Sequence, residues 1–294
     1  MSELFDPAFV AMLRTLRMVL RPAAAVALHG EHRAPLASVS PEFRDHRPYV
    51  VGDDVRHVDW NLYRRSGELF VRRFTHFQPV PCYVLLDASE SMKHAQLDRM
   101  LLARRVAAAF AAAALHERNP VRIHAFGQTI SREEHAGPPV KRLEDALTRL
   151  ATVEARGVTS IATSLRELNG LARRPGVLVI VSDFYDPAGL AALDEALADV
   201  RHRLVLARVG HRDDGEPTDA GEIEFQDCES GQTRLVSVTP AVLERYRSAY
   251  ATFEKNLADL AMRRRAVRVW FDLAEGVDGR VGIERAFPGG VIEV

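Results

Sequence analysis

The sequence is 294 residues long, 47% apolar and 27% charged, an ordinary globular balance with chain enough for one large core or two modest ones. A formal net charge of −1 leaves no overall field to attract nucleic acid. The two cysteines, Cys82 and Cys228, are far apart and form no CxxC pair, and Cys82, which opens an apolar run, reads as a small buried residue.

The first residues lack the basic segment, apolar core and small-residue cleavage site of a signal peptide. The longest apolar run, residues 106–115, is mostly alanine and too short to span a bilayer. A soluble cytoplasmic protein with no membrane span is therefore expected.

Phe9, Leu13, Leu16 and Leu20 fall near helical spacing and predict an amphipathic helix from about Asp6 to Leu20, ending before Pro22. A polar, irregular region follows, and then Tyr49-Val50-Val51-Gly52-Asp53-Asp54-Val55-Arg56-His57-Val58-Asp59-Trp60. Gly52-Asp53-Asp54 reads as a turn, because glycine supplies unusual dihedrals and aspartates bond their own backbone. Arg56 has three carboxylates to pair with, and Trp60 is expected to anchor the segment in a core. Residues 68–74 alternate well enough for a strand.

Beyond that point apolar strands and helical faces alternate, the rhythm of a parallel α/β sheet. A strand at residues 83–86 leads into a buried helix starting near Gln96. Val121, Ile123 and Ala125 mark the next strand, and Leu143, Leu147 and Leu150 the next helix. Ile161, Leu165 and Leu168 mark another. Residues 177–181 form a continuous apolar run, as a strand covered on both faces requires. Leu190, Leu193 and Leu197 give a helix, and residues 204–209 a strand. Residues 210–238 break the rhythm as a small β excursion. Thr239-Pro240 then starts a helix running through Leu260, and residues 266–271 form the last strand. The expected division is an N-terminal segment 1–78, a main domain 79–275 and a tail 276–294.

The chemistry gathers at the carboxyl ends of the strands, where ligands of such sheets sit. Asp87-Ala88-Ser89-Glu90-Ser91 follows the first apolar strand, and Ser182-Asp183 follows residues 177–181. Gly157-Val158-Thr159-Ser160 lies in a loop between two helices and adds hydroxyls. Asp87, Ser89, Ser91, Thr159 and Asp183 are thus a candidate set of hard oxygen donors, suited to Mg²⁺ or Mn²⁺ rather than zinc. The bland alternatives are a helix cap at Thr159 or Ser160 and a local turn joining Asp183 to Asp186.

Asp87-x-Ser89-x-Ser91 with Thr159 and Asp183 resembles the metal-ion-dependent adhesion site of von Willebrand factor A-like domains, over roughly residues 79–271. The segment 49–60, with Arg64 and Phe70-Val71-x-x-Phe74, is similar to the Y-x-x-G-D-D-x-R-x-x-D-W signature of the bacterial domain-of-unknown-function family numbered 58. Asp227, Glu229 and Gly231 resemble that family's β excursion. The resemblance implies a doubly wound, Rossmann-like, mostly parallel sheet with an N-terminal extension. It implies that Ser89, Ser91 and Thr159 contact the metal, with Asp87 and Asp183 acting largely through water. It further implies a MoxR-type AAA+ ATPase as partner and an adaptor or chaperone-like role toward a carboxylate-bearing client. The chain departs from the pattern at Val51, at residues 75–78, which are usually acidic, and at Val158.

A non-enzymatic interaction module is the expected function. The enzyme alternative is a Mg²⁺-dependent phosphohydrolase with Asp87 as nucleophile. In the haloacid-dehalogenase manner it wants a second aspartate where Ser89 stands. No G-x-S-x-G, G-x-x-x-x-G-K-[ST] or G-x-G-x-x-G is present.

Overall fold

The computed structural model describes residues 4–19, 42–75, 79–93, 98–131, 139–172 and 174–294. The chain divides into two compact units, one built from residues 1–28 with 80–294 and one from residues 29–79. The first helix and the tail therefore belong with the sheet, and the boundary expected at residue 78 separates only the intervening segment.

The larger unit begins with α1 (Pro7–Leu13), capped by Asp6, and β1 (Arg17–Val19). The helix stops well short of the expected Leu20, which lies outside the described residues. The core strands and helices follow as β4 (Cys82–Asp87), α3 (Arg99–His116), β5 (Val121–Phe126), α4 (Leu143–Ala151), α5 (Ile161–Leu171), β6 (Val177–Ser182), α6 (Gly189–Ala198) and β7 (Arg203–Gly210). The excursion is a two-stranded antiparallel hairpin, β8 (Gly221–Gln226) and β9 (Thr233–Val238). The long α7 (Pro240–Arg263), β10 (Val267–Asp272), α8 (Arg280–Ala286) and β11 (Val291–Glu293) complete the unit. β11 pairs in parallel with β1, and Ile283, Phe287 and Ile292 are buried, so residues 276–294 are part of the core.

The five-stranded sheet has the order β10-β7-β6-β4-β5 with all pairs parallel, a Rossmann-like α/β arrangement. Strand order turns back between β4 and β6, so the loops after these strands diverge and leave a crevice there. Side-chain alternation along β4 explains the two-sided core. Val84 and Leu86 face α3 and α4 on one side, while Tyr83 and Leu85 face α5, α6 and α7 on the other. α3 is alanine-rich because it is buried nearly all round, and small side chains let it lie close to the sheet. It starts at Arg99, capped by the Asp98 carboxylate on the Leu101 N–H (2.8 Å), and the start expected near Gln96 lies outside the described residues. Among the described residues, no helix is long and apolar enough to cross a membrane.

Close approach fixes one glycine. A Cβ at Gly176, just before β6, would stand 2.0 Å from the Pro81 carbonyl oxygen. Gly176→Ala is expected to cost about 1–3 kcal/mol as the backbones are forced apart. Urea unfolding midpoints of the two proteins would measure it, and equal midpoints would rule it out.

The smaller unit pairs β2 (Glu42–Pro48) with β3 (Phe70–Thr75) in antiparallel fashion, with a bulge between Phe43 and Asp45. Between them lie a 3₁₀ turn (Val55–His57) and α2 (Trp60–Ser66). Each acid of the Gly52–Trp60 signature has a structural partner. Asp53 accepts from both terminal nitrogens of Arg47 (2.5 and 2.6 Å) and from the Val50 N–H (2.9 Å), which holds its carboxyl down to about 2. Arg56 pairs with Asp54 (2.6 Å). Asp59 caps α2 at Asn61 and Leu62, and its other oxygen binds Arg72 and His46 (both 2.9 Å). Trp60 is not the expected anchor. It is 55% exposed and meets Tyr63 edge-on at 6.1 Å, while Val58 and Val71 take the buried positions.

Candidate metal centre

The candidate site stands at the crevice between β4 and β6. The apolar run of β4 is wholly buried, and it delivers Asp87 to the strand's carboxyl end still at 0% exposure. Asp87 Oδ1 accepts the Ser89 N–H (3.0 Å), and Oδ2 accepts the Ser182 hydroxyl proton (2.5 Å). Ser182 in turn accepts the Phe184 N–H (2.9 Å). Burial and then the neighbouring Asp183 charge push the Asp87 carboxyl up to about 7.

Asp183 leaves β6 at the same edge and is also fully buried. Its Oδ1 accepts the Tyr185 N–H (3.0 Å), but its buried Oδ2 has no hydrogen-bond partner. Arg99 Nη1 is 3.7 Å from that oxygen, and Arg99 also grips Asp214 at 2.7 and 2.8 Å. Burial raises the Asp183 carboxyl, opposed by the Tyr185 N–H, Arg99, the Ser91 hydroxyl and Arg208. The next residue, Phe184, adopts a left-handed φ of 63° while its ring is buried. Such a conformation costs about 1–2 kcal/mol outside glycine, and burying the ring offsets it. The result is a sharp turn that leaves Asp183 at the crevice and returns the next side chain to the core.

The Ser89 and Ser91 hydroxyls are 3.0 Å apart. Thr159 is brought to the same edge by backbone bonds between loops: Arg156 N–H to Ala88 O (2.6 Å) and Glu90 N–H to Gly157 O (2.9 Å). Of the bland readings only the cap at Ser160 is met: Ser160 takes the N-cap position of α5, without a side-chain cap bond. Thr159 does not cap α5; its hydroxyl and N–H are both given to Glu229, at 2.8 and 3.2 Å. Asp183 makes no turn with Asp186, which instead accepts from the Ile161 and Ala188 N–H groups (both 2.8 Å).

Among the described residues, no group of three or more His, Cys, Asp or Glu side chains could hold a metal ion. The site offers two carboxylates and the rest hydroxyls, which suits a hard cation that keeps several of its waters and does not suit zinc. Asp183 Oδ2, which has Arg99 at 3.7 Å but no hydrogen bond, lies beside a second buried carboxylate; two buried acids there can use further positive charge, and in that sense the residues fit the ion.

Residues 45–256 match the model of the family described as protein of unknown function DUF58. The chain belongs to that family. An uncharacterised protein of Mycobacterium bovis and another of Mycobacterium tuberculosis are each 29% identical to this DUF58 chain over 268 residues, 87% of this chain and 82% of theirs. A shorter uncharacterised protein of Mycobacterium avium is 32% identical over 113 residues, 38% of this chain and 65% of its own. Among solved structures, the conserved hypothetical protein BatB of Bacteroides thetaiotaomicron aligns with a TM-score of 0.43 and 14% identity, over 70% of this chain and 97% of that one.

Four residues of this DUF58 site are not evident from motif spacing. Ser182 ends β6 as a hydrogen-bond donor to Asp87. Arg99 and Asp214 form an ion pair behind Asp183. Arg208 lies inside β7 at 0% exposure. Only Arg208 leaves a signal in sequence: a charge inside an apolar strand must be paired where it is buried.

Proposed function

We propose that this DUF58 protein is a metal-dependent protein-interaction module of the von Willebrand factor A-like kind. The observation that carries the reading is the pair of buried carboxylates, Asp87 and Asp183, at the switch point, one of them with an oxygen that accepts no hydrogen bond and both beside hydroxyls. Mg²⁺ or Mn²⁺ would be held by Ser89, Ser91 and Thr159, with Asp87 and Asp183 oriented by their backbone and Ser182 bonds. When bound, the ion supplies Lewis acidity toward one oxygen ligand from outside the chain. The residues themselves orient the donors and exclude bulk water from the two carboxylates. A partner's carboxylate is the fitting outside ligand, and the resemblance of the motifs supplies a partner class, a MoxR-type AAA+ ATPase acting on a client.

The nucleophile alternative is less well supported, because both Asp87 oxygens are engaged by hydrogen bonds and fully buried. Isothermal titration of Mg²⁺ and Mn²⁺ into metal-free protein tests the proposal. Ser89→Ala/Ser91→Ala is expected to weaken binding at least about tenfold. Failure of the wild type to bind either ion would sink it.

A further inference from the structure

The hairpin β8–β9 stands out from the sheet, and nearly all of it is exposed: residues 224–228 and 230–235 all face solvent, with Phe225 and Leu235 among them. Glu229, at its tip, is the exception and is half-buried. The tip is shaped to present that one side chain. Asp227 Oδ1 accepts the N–H groups of Glu229 (2.9 Å) and Ser230 (2.7 Å). The Gly231 N–H bonds the Asp227 carbonyl (2.8 Å) with Gly231 at a φ of 69°, where a side chain would be strained. Held this way, the Glu229 carboxylate takes both donors of Thr159, hydroxyl and N–H. A hairpin with an exposed apolar surface and one carboxylate docked on a candidate metal ligand has the geometry of a bound acidic peptide, delivered by the chain itself.

We propose that Glu229 is the internal occupant of the site's outward-facing position, reached over Thr159 rather than over the two aspartates. A carboxylate-bearing partner would take the same place, displacing the hairpin tip. The proposal rests on the metal-site reading above and adds to it the identity of the competing group and the element that must move.

Mn²⁺ alone serves as probe, with the full-length wild type beside Glu229→Gln, which keeps size and removes charge. Water-proton relaxation counts the exchangeable waters on bound Mn²⁺. The variant is expected to gain about one such water and to bind Mn²⁺ several-fold more weakly. The reaction rate of Cys228 with a thiol reagent gives a second readout. Cys228 is exposed and adjoins Glu229, whereas Cys82 is buried with its thiol pushed up to about 12, so the signal belongs to the hairpin tip. Because burial and then the Glu229 charge itself raise the Cys228 thiol, rates are compared per thiolate, and release of the tip is expected to speed that reaction at least about threefold on this basis. Mn²⁺ binding by both proteins with equal hydration, affinity and Cys228 rate would overturn the Glu229 assignment and leave the metal site standing. No Mn²⁺ binding by either protein would overturn the metal reading, and this inference with it.

Discussion

Asp87→Asn is expected to make the metal-free protein more stable while weakening divalent-cation binding on the order of 100-fold. The two effects have one cause. Asp87 is fully buried beside Asp183, and its ionisation is disfavoured first by burial and then by that neighbouring charge, so its carboxyl titrates near 7. In the unfolded chain the same group ionises near its ordinary value of 3.8. Between those pH values the folded protein holds a proton that the unfolded chain has released, so stability falls as pH rises through the window. Below it neither state is charged and the penalty vanishes; above about 7 the penalty is complete. Asparagine removes the titration. Its carbonyl can still accept the Ser89 N–H, and its amide can donate to Ser182, whose hydroxyl is free to rotate. Thermal melts at pH 4 and pH 8 without metal should therefore show little difference between the proteins at the lower pH. At the higher pH the variant should melt several degrees above wild type. Saturating Mg²⁺ should raise the wild type at pH 8 and narrow the gap. A variant that is destabilised at both pH values would mean that Asp87 is held mainly for its hydrogen bonds and not at an electrostatic cost to folding.

Such a cost is what marks a functional site off from a structural one, and part of it was legible in the sequence. An apolar strand ending in an aspartate, twice, together with an intervening hydroxyl loop, predicts where both carboxylates lie. A fully covered sheet replaces the 2.0-residue alternation with continuous apolar runs, and those runs, with the 3.6-residue period of the helices between them, make β4, β6, β7 and their helices visible from pattern alone. The N-terminal helix is shorter than its spacing predicts, because Leu16 keeps helical spacing yet belongs to the turn into β1, where Met18 is buried by sheet pairing. Trp60 escapes the sequence reading because aromatic size argues for burial, whereas the residue opens α2 directly after its Asp59 cap, in a unit too small to enclose an indole. The docking of Glu229 on Thr159 joins residues 70 apart in sequence, and no periodicity encodes a contact of that range. It follows from how a hairpin leaves the sheet, which only the assembled fold determines.

Arg208 shows its charge in the sequence of β7 but not its partners, and its replacement should have the largest effect on stability. Its guanidinium is fully buried and fixed from every side. Nε donates to the Asp183 carbonyl (3.3 Å), Nη2 to the Tyr185 and Tyr250 hydroxyls (3.0 and 3.4 Å), and Nη1 pairs with Glu254. The rings of Trp270, Phe253, Tyr185 and Tyr250 surround it at 4.6–5.6 Å from their centroids. Those contacts tie α7, β10 and the loop after β6 to one side chain. Arg208→Ala is expected to cost about 3–5 kcal/mol, since it leaves a cavity, unpaired hydroxyls and a carboxylate short of one partner. For a unit of this size that is a fall in Tm on the order of 10 °C. Arg208→Lys keeps the charge but lacks the planar fork that reaches four acceptors and stacks on rings, so it should recover only a small part. Arg208→Met/Glu254→Gln should recover more than lysine does, because both charges leave together, a flexible apolar chain fills the cage, and the glutamine carbonyl can still accept from Arg268, the other partner of Glu254. Because Arg208 also holds the Asp183 backbone, the alanine variant should bind Mg²⁺ more weakly at temperatures where it is still folded. Loss of under about 1 kcal/mol in urea unfolding of Arg208→Ala would show that the ring cage closes without the cation and that the pairing contributes little.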